Sequence, residues 1–412
     1  MKKFTFIFFI LLLSFCFGCE NIFFDRKPDE NPKALFENMW TTIDQKYSFF
    51  QYKDIDWDAI RLQYNPLIQD DMSDDELFNV LGDMLNELQD WHVNLNSRTD
   101  ISQYEGINRN EDENGFFTRF EQDFYDPNIL EEQYFIQTNQ ADEDIKVANG
   151  FLHKIFTRTI NGNTEKIGYL RFSSFSLLLD TKAFDEVSLR FRQENVKGVI
   201  LDLRNNGGGF LSSAQNLAAS IIQREDSDVA YSIYKSGPAH DDFTSPVAIS
   251  ITQRDTNNLF NFPVALLLNR NSYSASSFFA AFMRAPGFEH VRSFGNNTGG
   301  GSGLPSDYQL ANGWNYRFSA TRTYSPYINP SDIFIGEDQF ITNSGSPLSH
   351  PNGGFDFEAG VPVEFPVSSE QFERYREEQL DYLMESTMRL LINNSTVEWQ
   401  SLPKGSSIDF DL

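Results

Sequence analysis

Val264-Ala-Leu-Leu-Leu268 is a short, unbroken apolar run, the pattern of a strand buried on both faces of a sheet. Asn269 to Asn271 interrupt it, and Phe278, Ala281, Phe282 and Ala285 then recur at i, i+3, i+4 and i+7, so the spacing predicts strand, tight turn and helix. A second apolar run, from Gly198 to Leu203, ends in the glycine-rich Asn205-Asn-Gly-Gly-Gly209. From Ile167 to Val367 strand and helix patterns alternate, with crossovers over Phe184 to Glu194 and Leu211 to Gln223 and a further strand at Gly313 to Phe318. That alternation predicts a layered α/β core.

The flanking regions have different patterns. Asn31 to Leu88 reads as helical: Ser73-Asp-Asp-Glu76 is a capping box, and Leu77, Val80, Leu81, Met84, Leu85 and Leu88 form one stripe. Val93 and Leu95 then alternate with Asn94 and Asn96, so a strand is expected to begin near His92. The segment 99–166 is aromatic and acidic, with Asn161-Gly162 as a hairpin turn. Ser369 to Leu391 reads as an amphipathic closing helix, and the tail from Asn393 is expected to fray. The predicted organisation is therefore an N-terminal helical subdomain at 31–98, a β-rich segment at 99–166, a core at 167–391 and a tail at 392–412.

The first 30 residues change the picture of where the chain works. Met1-Lys-Lys precedes apolar Phe4 to Phe17, a stretch too short for a comfortable membrane span, and the pattern predicts a signal peptide over 1–18. Cys16-Phe-Gly-Cys19 resembles a bacterial lipobox, with Cys19 as the lipidation site and 19–30 as a tether. The expected location is thus the cell envelope, extracytoplasmic and lipid-anchored to a membrane. Cys16 leaves with the signal and Cys19 is lipidated, so neither of the two cysteines remains for a disulfide or metal site. The formal charge of −26 becomes −28 without Lys2 and Lys3 (−26 − 2), a field that disfavours nucleic acid as a partner.

Candidate chemistry concentrates at the two strand ends. Ser274 stands at the start of the predicted helix, where free N–H groups favour developing negative charge. Serines in this position also serve simply as caps. The loop at Gly207 to Gly209 can bring backbone N–H groups close to a substrate, or merely turn the chain. The glycine run from Thr298 to Pro305 lacks the lysine and following helix of a phosphate-binding loop. His92 would be a core residue if its helix persisted, but at a helix-strand junction it is better placed for chemistry.

These blocks carry a resemblance. Leu88-Gln-Asp-Trp-His-Val-Asn-Leu95, Gly168-Tyr-Leu-Arg-Phe-Ser-Ser-Phe175, Asp202-Leu-Arg-Asn-Asn-Gly-Gly-Gly209 and Ser272-Tyr-Ser-Ala-Ser276 occur in the order of the tail-specific protease family of serine peptidases, which includes the C-terminal processing peptidases and the tricorn core. The resemblance spans about Asn31 to Val367. It implies a crotonase-like core, a mixed β-sheet flanked by helices, and an activity that cleaves polypeptide substrates through an acyl-enzyme, with no cofactor and no metal. The glycine-rich carboxylate loop of a PDZ module is not found in 99–166. No lysine lies between Ser274 and Lys404, which excludes the family's Ser-Lys dyad in its usual place. The tricorn-like branch pairs Ser with His and adds a second Ser and a Glu. It implies Ser274 as nucleophile, His92 rather than His350 as base, Glu358 rather than Asp356 as acidic partner, and the N–H groups of Gly208 and Ala275 as the oxyanion hole. Trp91 stands where that branch has its second serine. The competing expectation is a ligand- or peptide-binding lipoprotein on the same fold without hydrolysis. No motif sets an oligomeric state.

Overall fold

The computed structural model describes residues 29–97, 103–104, 125, 127–130, 134, 146–148, 151–160, 162–254, 260–325, 357–368, 371, 377–378 and 380–403. Cys19, Asp356 and His350 lie outside these residues, as do the whole signal peptide and most of the tether and of 99–145.

The N-terminal unit holds helices α1 (Pro32–Lys46), α2 (Trp57–Tyr64) and α3 (Asp74–Asn86), followed by strands β1 (Asn94–Asn96) and β2 (Gln103–Tyr104). The capping box at α3 forms as expected, Ser73 and Glu76 satisfying each other's backbone N–H groups. After a short helix α4 (Pro127–Leu130) come β3 (Lys146–Ala148), β4 (Phe151–Ile160) and β5 (Asn163–Arg171). Ile160 pairs with Asn163, so β4 and β5 form a hairpin with Gly162, at φ 81°, in its turn, as expected; Asn161 lies outside the described residues. The chain continues through α5 (Thr181–Gln193), β6 (Gly198–Asp202), α6 (Leu211–Ile221), β7 (Asp226–Tyr234), β8 (Val247–Thr252) and β9 (Val264–Leu268). It then passes through α7 (Ala275–Phe282), β10 (Val291–Gly295), β11 (Pro305–Gln309), β12 (Asn315–Ser319), β13 (Thr321–Tyr324), β14 (Phe365–Pro366), α8 (Tyr382–Asn393) and α9 (Thr396–Gln400).

Seven strands form the central sheet, in the order β14-β10-β9-β6-β5-β4-β3. Pairing is parallel from β5 through β6, β9 and β10 to β14, and antiparallel where β3 and β4 extend it. The sheet is therefore mixed. Its central strands separate their side chains with period two. Val199, Leu201, Val264, Leu266 and Leu268 enter one core with residues of α5, α6 and α7. Ile200, Ala265 and Leu267 enter the other, against Met384, Met388 and Leu391 of α8. Helices thus cover both faces, which is why these strands read as unbroken apolar runs.

Three expectations need correction. The helical subdomain does not close its own core: Leu310, Trp314, Tyr316 and Phe318, from around β11 and β12, complete it more than 200 residues downstream. Those strands pair as an antiparallel sheet in the order β11-β12-β1-β2, and β13, β7 and β8 form another, so strand and helix alternate less regularly after Ile167 than the pattern predicts. The closing helix is described over Tyr382–Asn393, and the tail beyond it, expected to fray, instead folds back as far as Pro403, residues 404–412 lying outside the described residues. Ser395 and Glu398 form a capping box, and the buried Trp399 indole donates to the His290 carbonyl at 2.9 Å.

His290 itself is fully buried, and neither ring nitrogen has a partner at ordinary hydrogen-bonding distance among the described residues. Burial pushes its pKa down to about 4, against the pull of Glu289 and of the Ile221 backbone beside the ring. The folded protein therefore keeps the ring neutral while an unfolded chain protonates it near pH ~6.5. Between those values the unfolded state binds more protons, so stability falls as pH drops, by at most about 3 kcal/mol from this residue. Urea unfolding at pH 6.5 and pH 4.5 is expected to show a smaller loss in His290→Leu than in the parent; equal losses would assign the effect to other groups.

Candidate active site

The site lies where β6 and β9, adjacent and parallel, reach their C-terminal ends. Crevices at such strand ends are where open α/β sheets bind ligands. Strand β9 stops because Asn269 and Ser272 close a turn. Ser272 N–H donates to the Asn269 carbonyl at 2.9 Å, and the Ser272 hydroxyl to the Leu203 carbonyl at 2.8 Å, tying this turn to the end of β6.

Ser274 opens α7 with φ 53° and ψ −120°. Those are the angles of the first central residue of a type II′ turn, a place that favours glycine, so a side chain is held there at a cost of roughly 1–3 kcal/mol. Its N–H donates to the Gly300 carbonyl at 3.0 Å, and its carbonyl accepts from Phe278 at 2.9 Å. The glycine run beyond β10 is explained by this packing. A side chain at Gly300, where φ is +82°, would run into the carbonyl of Glu358.

His92 arrives from the other side of the molecule. Helix α3 ends at Asn86, Gln89 takes a positive φ of 46°, and buried Asp90 accepts the His92 N–H at 2.9 Å. This side-chain turn ends the helix before the histidine. The imidazole Nε2 lies 2.8 Å from Ser274 Oγ, although 182 positions separate the two residues. Tyr273 packs its ring 5.0 Å from that of His92 and 5.1 Å from that of Trp91, so the residue before the serine braces the histidine.

Gly208 is pressed against the serine. With φ +99°, any Cβ there would fall 2.8 Å from Ser274 Cβ and from the Tyr273 carbonyl. Its N–H donates to Asn206 Oδ1 at 2.9 Å, so the amide expected to help form an oxyanion hole is already bonded in this structure. Asn206 is fully buried and also donates to the Phe172 carbonyl, while its own carbonyl accepts from Tyr273. The Ala275 N–H, in the first turn of α7, belongs to the amides for which a helix offers no internal acceptor.

Glu358 lies close by, half-buried in a group of residues far apart in the chain. Its Oε2 accepts from the Ser302 N–H at 2.8 Å and from the Ser302 hydroxyl at 2.7 Å, and Lys53 Nζ is 3.7 Å from Oε1. Burial raises its pKa, and neighbouring Asp90 adds to that against the pull of Lys53 and Ser302. Asp90 goes the other way: burial pushes it up, but Lys53, His92 and the Ser319 hydroxyl hold it below the usual carboxylate range. Lys53 thus acts on two carboxyls whose pKa values move in opposite directions, Asp90 down and Glu358 up. Lys53 and Ser302 carry no local signal, and Asp90 could have been singled out only by its place two residues before His92. Among the described residues there is no cluster of His, Cys, Asp or Glu able to hold a metal ion, and no helix long and apolar enough to cross a membrane.

Comparison with known proteins agrees with this architecture. The model of peptidase family S41 matches residues 166–333, and that of the tricorn protease C1 domain matches residues 28–86. A carboxyl-terminal-processing protease of Picosynechococcus sp. is 25% identical over 162 residues, 39% of this chain and 36% of that protein. The chloroplastic carboxyl-terminal-processing peptidase 3 of Arabidopsis thaliana is 28% identical over 176 residues, 42% of this chain and 31% of that protein. The match therefore spans about a third of the length of these curated relatives. Mature CPAF has the same fold at 12% identity, with a TM-score of 0.60 over 89% of this chain and 98% of its own. The structure of a candidate peptidase from Parabacteroides merdae is 30% identical, with a TM-score of 0.64, and the alignment covers 88% of this chain and 98% of that one. With that identity along nearly the whole of a relative, and the family model matched across the core, this chain belongs to peptidase family S41.

Proposed function

We propose that this chain is a serine peptidase that cleaves polypeptides by acyl transfer, with Ser274 as nucleophile and His92 as general base. The single observation that carries the reading is the 2.8 Å contact between His92 Nε2 and Ser274 Oγ. A serine hydroxyl is a weak nucleophile until a base within hydrogen-bond reach removes its proton. As Ser274 Oγ bonds to the substrate carbonyl carbon, its proton passes to His92 Nε2 and the carbonyl oxygen becomes an oxyanion. The Ala275 N–H, at a helix N-terminus, stabilises that charge, a donor of a kind typically worth ~3–4 kcal/mol. Collapse breaks the C–N bond, and His92 gives its proton to the leaving amine. Water then attacks the acyl-enzyme, losing a proton to His92, and Ser274 is released with the new carboxyl terminus.

The relatives named as carboxyl-terminal-processing enzymes support substrates cut towards their C-terminal ends. Cys16-Phe-Gly-Cys19 supports an extracytoplasmic protein lipidated at Cys19 and held on a bacterial membrane. The competing role, a binding lipoprotein without hydrolysis, leaves the pairing of a strained serine with an imidazole unexplained. The test is labelling by a fluorophosphonate probe together with hydrolysis of unstructured peptides. Labelling of the parent and not of Ser274→Ala is expected; a parent that neither labels nor hydrolyses peptide rules the enzyme reading out.

Gly208→Ala tests the approach of the glycine loop. The new methyl group meets Ser274 Cβ and the Tyr273 carbonyl in a backbone conformation that disfavours it. The expected cost is about 1–3 kcal/mol of stability, with a loss of peptide hydrolysis larger than the loss of folded protein.

A further inference from the structure

The antiparallel register of β1 and β12 pairs Asn94 with Arg317 and Leu95 with Tyr316. Continuing it by two positions sets His92 opposite Ser319, the last residue of β12. Ser319 Oγ lies 3.4 Å from His92 Nδ1, the ring nitrogen turned away from Ser274. The serine is buried, and its carbonyl accepts the Ser48 N–H at 3.1 Å, while the Ser48 hydroxyl donates to the Thr321 carbonyl at 2.8 Å.

We propose that Ser319 positions the His92 imidazole, linking Nδ1 to the carboxylate of Asp90, so that the working array is Ser274, His92, Ser319 and Asp90. This rests on the peptidase reading above. A hydroxyl has one proton to give and lone pairs to receive. The Ser319 hydroxyl donates towards the Asp90 carboxylate, beside which the Tyr47 hydroxyl also lies. Its oxygen is then left to accept from Nδ1–H. That fixes the tautomer, because a proton on Nδ1 leaves the lone pair on Nε2 facing the Ser274 hydroxyl, as a general base requires. Trp91, with an indole in place of a hydroxyl, occupies the position where the tricorn-like pattern has its second serine. Here a hydroxyl reaches the imidazole from the facing strand instead. Glu358 takes two hydrogen bonds from Ser302. The charged or titratable groups around the array are Lys53, Glu358, Tyr47 and Tyr273.

The test compares Ser319→Ala, Asp90→Asn and the double variant with the parent, by peptide hydrolysis and by fluorophosphonate labelling rate, after confirming cooperative unfolding of each. Ser319→Ala is expected to lower kcat about tenfold with KM unchanged, and Asp90→Asn about a hundredfold. The double variant should be no slower than Asp90→Asn, as expected for residues acting as one unit. The acid limb of the kcat/KM profile should move to lower pH in Asp90→Asn, because a neighbouring negative charge favours the imidazolium form. A merely structural contact would not shift that limb. If the parent labels and both single variants label at its rate with an unmoved acid limb, the proposal is overturned while the peptidase reading stands. If the parent fails to label, both fall.

Discussion

Ser274→Ala is expected to lower kcat by on the order of 10⁶ while the protein stays folded, because removing the nucleophile of a serine-histidine unit costs about as much as removing the whole unit. His92→Ala should fall to a similar floor, and the double variant no further. The conformation of Ser274 adds a second readout. With φ 53° and ψ −120° it carries backbone strain that alanine inherits and glycine does not. Ser274→Gly should therefore be as inactive as Ser274→Ala but more stable by about 1 kcal/mol, measured as a shift in the urea midpoint. Equal stability of the two variants would mean that the turn is relaxed. Activity surviving in either would place the nucleophile elsewhere.

Arg204→Ala is expected to give the largest stability loss, about 3–5 kcal/mol. The Arg204 guanidinium is fully buried between two carboxylates: Nε and one terminal nitrogen bond to Asp202 at 3.0 and 2.7 Å, and the terminal nitrogens reach Asp381 at 3.1 and 2.8 Å. Burial alone would drive both acids towards neutrality. Arg204, helped by Arg171, instead keeps Asp202 low, and it restrains a rise at Asp381 that burial dominates. Removing the arginine leaves two acids in the dry interior, and that desolvation, not the loss of two contacts, sets the size of the effect. The consequence spreads because Asp381 caps α8 while Arg204 begins the loop that leads to Gly208. Replacing Asp202, Arg204 and Asp381 together with apolar residues of similar volume should cost far less than Arg204→Ala. A single-variant loss below about 1 kcal/mol would show that water reaches the cluster.

Local signals carried much of this protein. The apolar runs at Gly198 to Leu201 and Val264 to Leu268 appear as the sheet's central strands, since strands covered by helices on both faces need no alternating polar positions. The capping box at Ser73, the hairpin turn at Gly162 and the strand-turn-helix around Ser274 were legible because the groups that form them lie within a few residues of one another. Signals failed where the partner is remote. The tail beyond Asn393 looked unanchored because the carbonyl that takes its indole belongs to His290. The helical subdomain looked complete because nothing near it announces Trp314 or Phe318 as core.

By itself, then, the sequence determined the elements, the mixed α/β layering and a serine at a helix start, all of which follow from periodicity and short-range hydrogen bonding. Only the tertiary structure decided that His92 meets Ser274, that Ser319 stands behind the histidine, and that the pKa of Asp90 is held down while that of Glu358 is raised. The physical reason is the same each time. Strand register, burial and the sharing of one lysine between two acids depend on which surfaces pack together, and no spacing along the chain records that.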